Sequence, residues 1–152
     1  VRRIPDDRRT GHSLNTDRHT RHALLEAGSA QRIEALCVRA RELDGVGDSR
    51  DSLLAWLDDL VAYCVAARGL ATALAYEGDP VDGNSCASVV AQASEPLLRR
   101  AVQDGSVAAG VTATELVTLI VGIVMVTENH QDPAASAERL FALAVAGISP
   151  PR

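Results

Sequence analysis

Side chains able to do chemistry are few in this chain, and most stand apart from one another. Cys37, Cys64 and Cys86 are odd in number and too widely spaced for a zinc or dithiol motif. They read as core or pocket thiols of a reducing cytosol. His12, His19 and His22 lie in or beside an N-terminal stretch with no scaffold and no further ligands, so they read as solvated histidines and no metal site is expected. The Gly83 to Ser85 stretch lacks the strand-turn-helix setting of a nucleophile elbow, and no histidine stands near a candidate nucleophile in sequence. Gly45 to Gly47 and Gly105 to Gly110 follow helices, not strands, and read as helix stops in place of phosphate loops. No catalytic residue and no cofactor is therefore expected. What remains is binding. Trp56 and Tyr63, seven apart on one helix face, are the large side chains there with a polar tip. With Cys37, Leu60, Cys64, Leu97 and Met125 they could line a largely apolar cavity offering a few hydrogen-bonding points, although each taken singly fits ordinary core better. Glu128, Asn129 and His130 fit a solvated turn better than a pocket mouth.

The elements that must position these residues are helical. Thr112 and Glu115 form a capping box, flanked by Val111 and Leu116 at the spacing of a hydrophobic staple. The helix that follows is apolar on every side through Val126, broken only by Thr118 and Gly122, so protein must cover it all round. It falls short of the ~20 apolar residues that span a bilayer, and no membrane segment is expected. After a polar turn, Asp132 is placed to cap a last helix opening at Pro133 and ending near Gly147. Its stripe is Ala137, Leu140, Phe141, Ala144, Val145 and Ile148. Left open, such a pair exposes more apolar surface than a monomer tolerates. A two-fold four-helix contact between copies is the expected remedy, made by Leu116, Ile120, Ile123, Val124, Leu140, Phe141, Ala144, Val145 and Ile148.

Upstream, a long helix from the Thr20 cap to about Leu43 carries Ile33, Leu36, Ala40 and Leu43 on one stripe. At about 36 Å it is long enough to act as a lever. Asp48 or Ser49 caps the next helix, to about Ala67, whose wide apolar face marks it as central. A short helix through Leu70, Leu74 and Tyr76 follows, then a turn from Val81 to Asn84. The next helix runs from about Ser85 to Asp104, with Pro96 inside it and a kink expected near Gln92 to Ala93. No segment alternates as a strand, so the fold is expected to be all-α, an antiparallel bundle of about six helices.

Composition agrees. The 152 residues suit one domain, and with 3% aromatics the apolar weight rests on Ala, Val and Leu, which favours close-packed helices. Net charge is -5, yet residues 1–17 and their flank form an Arg-rich arm, expected to be disordered, ahead of a domain at 18–149. The acidic body gives no electrostatic reason to grip phosphate. Val1 to Thr20 has no apolar signal-peptide core, so a cytoplasmic location is expected.

The order of pieces resembles a known family. RHTRHALLEAGSAQRIEALCVRARELDG, Arg18 to Gly45, resembles the first effector-domain helix of TetR-family bacterial repressors with its link to their DNA-binding helices. RGLATAL, Arg68 to Leu74, is similar to the short helix that follows. PLLRRAVQDGSVAAGVTATELVTLIVGI, Pro96 to Ile123, and RLFALAVAGI, Arg139 to Ile148, resemble the pocket helix and the dimerisation helices of actinobacterial members. The resemblance implies a non-enzymatic transcriptional regulator: a homodimer that binds a small, mostly apolar effector inside the bundle and passes the signal along its first helix. The family's helix-turn-helix precedes this point, whereas the residues ahead of Arg18 have no amphipathic period. It is thus expected to be missing or degenerate here, with sequence-selective DNA binding only where one is supplied. The alternative is a headless subunit that pairs with full-length relatives.

Overall fold

The computed structural model describes residues 28, 30–67 and 86–148. The basic arm, the Thr20 cap, the short helix after Gly69, the turn through Asn84 and the Arg68 to Leu74 segment lie outside these residues. Five helices and no strand occur among the described residues: α1 at 30–43, α2 at Ser49–Ala66, α3 at Cys86–Gln103, α4 at Ala113–Thr127 and α5 at Pro133–Ile148. The all-α bundle is the expected one, and the short helix expected after Gly69 falls outside the described residues.

Three of the helices, α2, α4 and α5, begin where the sequence provides a cap. Asp48 accepts from the amides of Arg50 and Asp51, at 3.0 and 3.1 Å, to open α2. The Thr112–Glu115 capping box forms both ways, with Thr112 N donating to Glu115 Oε2 at 2.9 Å and Glu115 N to Thr112 Oγ1 at 3.2 Å. Asp132 Oδ1 accepts from Ala135 N at 3.0 Å ahead of Pro133, a residue with no amide to satisfy at the first helical position. α1 stops at Gly45, whose φ of 79° lies in the left-handed region that a side chain would resist. α3 continues through Pro96, and buried Ser94, two residues before it, donates its hydroxyl to Ala91 O at 2.9 Å.

α2 is the centre of the bundle, packing on α3, α4 and α5. Trp56, Leu57 and Leu60 are buried on it, together with Leu53, Val61 and Cys64. They share one core with Leu36 of α1, Leu97 of α3 and Ile120 of α4. A wide apolar face on α2 is what a helix needs when neighbours close over three sides of it.

The opposite side of α2 carries Asp58 beside Asp59 and near Glu138 of α5. Partial burial, then the charges of Asp59 and Glu138, push the Asp58 carboxyl above its usual range. Because the folded-state pKa is raised, the ionised form weakens the fold, and that cost disappears as pH falls through the raised value. Asp58→Asn is therefore expected to stabilise the protein at pH 7 by up to about 0.5 kcal/mol. Urea melts taken at successively lower pH should show the gain shrinking, and vanishing once the pH lies below the ordinary aspartate range.

Candidate functional site

All seven residues expected to line a cavity lie in or against the same core. Cys37, Trp56, Leu60, Cys64 and Leu97 are buried, and Tyr63 and Met125 pack on them half-buried. The polar tip of Trp56 is already used, since its indole N–H donates to Leu36 O of α1 at 3.0 Å in a buried bond. That leaves the Tyr63 hydroxyl as the polar tip of the pair at a half-buried position. Burial pushes the Cys64 thiol up to about 12, and burial followed by the charge of Glu34 raises that of Cys37. Both stay protonated at neutral pH, so they contribute bulk and polarizability to the core and no nucleophile.

Among the described residues no group of histidine, cysteine and carboxylate side chains could hold a metal ion. A small void of about 10 Å³ is lined by Arg50, Leu53, Leu54, Leu57, Val107, Leu116 and Val145, scarcely room for one water. It lies between the start of α2 and the α4–α5 pair, away from the residues expected to form the cavity.

The α4–α5 pair divides its apolar residues differently from the sequence expectation. Leu116, Ile120, Ile123, Val124 and Phe141 are buried against the chain's own helices, and Leu140, Ala144 and Val145 are half-buried against the same core. Ile148 ends α5, and its side chain lies outside the described residues. The row left uncovered on α4 is Leu119, Gly122 and Val126, at three-then-four spacing. On α5 it is Ala142, Leu143 and Ala146. Val126 and Leu143 are 67% and 64% exposed, more than the other large apolar side chains of the described residues. A Cβ added at Gly122 would meet nothing within 4 Å, so the row has a flat place midway along α4. Period alone could not have found this row, because α4 is apolar on every side. The small residues at Thr118 and Gly122 were the available signal.

The geometry is that of an all-α domain whose described polar groups serve mainly to cap and tie helices. Residues 48–150 match the family model described as the C-terminal domain of SbtR-like transcriptional regulators, and the chain belongs to this TetR-type family. A search of curated proteins finds no match. Among solved structures the chain is similar to the TetR transcriptional regulator SCO0520 from Streptomyces coelicolor, at 26% identity and a TM-score of 0.67. That match covers 92% of this chain and 81% of the other. The bundle is thus the regulatory C-terminal domain of a TetR-family transcriptional regulator. No helix among the described residues is long and apolar enough to cross a membrane.

Proposed function

We propose that this chain is the ligand-sensing and dimerisation domain of a TetR-type regulator, acting without catalysis in the cytoplasm. Two copies join through α4 and α5, a small and mostly apolar effector enters the bundle, and α1 carries the response toward a DNA-reading segment.

One observation supports the dimer above all: the uncovered, uncharged run of Leu119, Gly122 and Val126 on α4 with Leu143 on α5, bounded one turn earlier by exposed Glu115 and Arg139. An isologous contact places a patch against itself, so a charge-free patch avoids the like-charge repulsion that a charged one would meet. Closing α4 and α5 against their copies as a four-helix contact would bury on the order of 1,600 Å², an interface of ordinary size. The half-buried positions of Tyr63 and Met125 favour the effector reading, since they leave a hydroxyl and a thioether at the margin of the Trp56 and Leu60 core.

Two measurements test the proposal. Sedimentation equilibrium should give a dimer, and a monomer at tens of micromolar would reject that half. Trp56 is the chain's single tryptophan, so its fluorescence reports the core without ambiguity. Titration with a panel of uncharged aromatic and medium-chain aliphatic compounds should give saturable quenching for at least one of them. Failure across the panel would count against an apolar effector.

A further inference from the structure

α1 is attached to the body beyond its first described turn. Ala30, Gln31 and Arg32 are exposed, whereas from Ile33 onward the helix buries Ile33, Leu36, Cys37 and Ala40 in the core. Trp56 donates to Leu36 O, and Arg39 Nε donates to Asp59 Oδ2 at 3.0 Å. In the turn after α1, Ser52 Oγ donates to Val46 O at 2.6 Å and Arg100 Nη2 to Gly47 O at 3.3 Å. Ser49 Oγ donates to Asp104, whose Oδ1 also accepts from Ser106 N at 3.0 Å. Those bonds hold the Asp104 carboxyl below its usual range, so it stays ionised. The turn 44–48 is thereby tied to the first turn of α2 and to the end of α3.

One bond of this set is incomplete. Arg100 Nη1 is buried and has no hydrogen-bond acceptor, while Asp44 Oδ1 stands 3.9 Å away. A buried charged donor left without an acceptor is costly. A ligand from the adjoining open cleft, lined by Gly47, Asp48, Ser49, Arg100, Gln103 and Asp104, is a poor candidate to complete it. The nitrogen is shielded from solvent, and the carboxylates of Asp48 and Asp104 repel an anion. Asp44 lies on the chain's own turn, and a closure of about 1 Å would bring it to the length of a charge-assisted hydrogen bond.

We infer that Arg100 is a two-setting clasp on the C-terminal end of α1, open as found here and closed when Nη1 donates to Asp44. Movement of that end toward α3 is favoured by the new bond, and movement away loses the bond to Gly47 as well. The end of α1 then serves as a fulcrum, and its exposed first described turn, Ala30 to Arg32, moves farthest. The regulatory meaning of the clasp rests on the proposed role of α1; its existence does not.

The test is amide hydrogen exchange on the full chain, read beside the indole N–H resonance of Trp56, which reports the position of Leu36. The amides of Asp44 and Val46 close the end of α1 by donating to Ala40 O and Leu43 O. Arg100→Ala should speed their exchange by about tenfold and shift the indole signal, with the α4 amides unchanged. Asp44→Asn should act in the same direction more weakly, and the double variant should exchange no faster than Arg100→Ala alone. Unchanged exchange in Arg100→Ala overturns the clasp, as does multiplicative acceleration in the double variant. Acceleration spread equally over α4 overturns it too, because that marks general loss of stability. A monomer in sedimentation would remove the dimer reading and leave this test intact.

Discussion

Leu143→Glu, and separately Val126→Glu, is expected to turn the proposed α4–α5 dimer into a monomer while leaving helix content at 20 °C unchanged. Both side chains are largely in water within one chain, at 64% and 67% exposure, so the substitutions remove little from the core. In a two-fold contact each glutamate meets its own copy or the apolar row of the partner. It must then be taken out of water or repel its twin, a penalty of several kcal/mol that is felt in full at Val126 and is partly offset at Leu143 by exposed Arg139 one turn earlier. Dissociation should rise by about 100-fold or more, since each 1.4 kcal/mol is about tenfold. Sedimentation equilibrium gives the association state and circular dichroism the helix content. Phe141→Ala supplies the contrast: it removes a side chain only 6% exposed and should cost the fold about 3 to 5 kcal/mol before it touches association. A Leu143→Glu protein that remains dimeric would place the interface elsewhere.

How this division of labour within α4 escaped the sequence shows what a pattern can and cannot carry. Caps are local, and local chemistry was legible: Thr112 with Glu115, and Asp132 ahead of Pro133, act where their spacing places them. The centrality of α2 was legible too, because a face holding Leu53, Trp56, Leu57, Leu60, Val61 and Cys64 needs several neighbours. In α4, by contrast, Leu116, Leu119, Ile120 and Ile123 are equally apolar. Only the packing of α2, α3 and α5 decides that Leu119 faces out and Ile120 faces in. Long-range partners of polar groups were equally illegible. Nothing in the spacing around Arg100 on α3 points to the turn 53 residues earlier, yet it reaches back to Gly47 O. The indole of Trp56 reads as a tip free for a ligand, yet a carbonyl twenty residues earlier has taken it. No periodicity encodes an acceptor on another helix.

That indole bond makes Trp56 the most consequential single side chain in the core. Trp56→Ala is expected to destabilise the protein by about 3 to 5 kcal/mol, the loss from emptying a fully buried aromatic site. Against a typical total of about 5 to 15 kcal/mol, this leaves the domain marginal. Trp56→Phe keeps most of the apolar surface and removes the donor to Leu36 O, so it should cost less, about 1 to 3 kcal/mol. Urea melts followed by far-ultraviolet circular dichroism give both numbers, since the variants lack the fluorophore. The size of the alanine penalty also discriminates between close-packed core and the rim of a hollow. At 0% exposure with a satisfied N–H, Trp56 is surrounded by atoms that cannot all move in to fill its place. If the alanine variant lost less than about 1 kcal/mol, the side chain would have to border pre-existing empty space. The first place to look for an effector would then be beside Trp56 itself. The full penalty instead makes Trp56 a strut between α2 and α1, and shifts the search toward the half-buried Tyr63 and Met125.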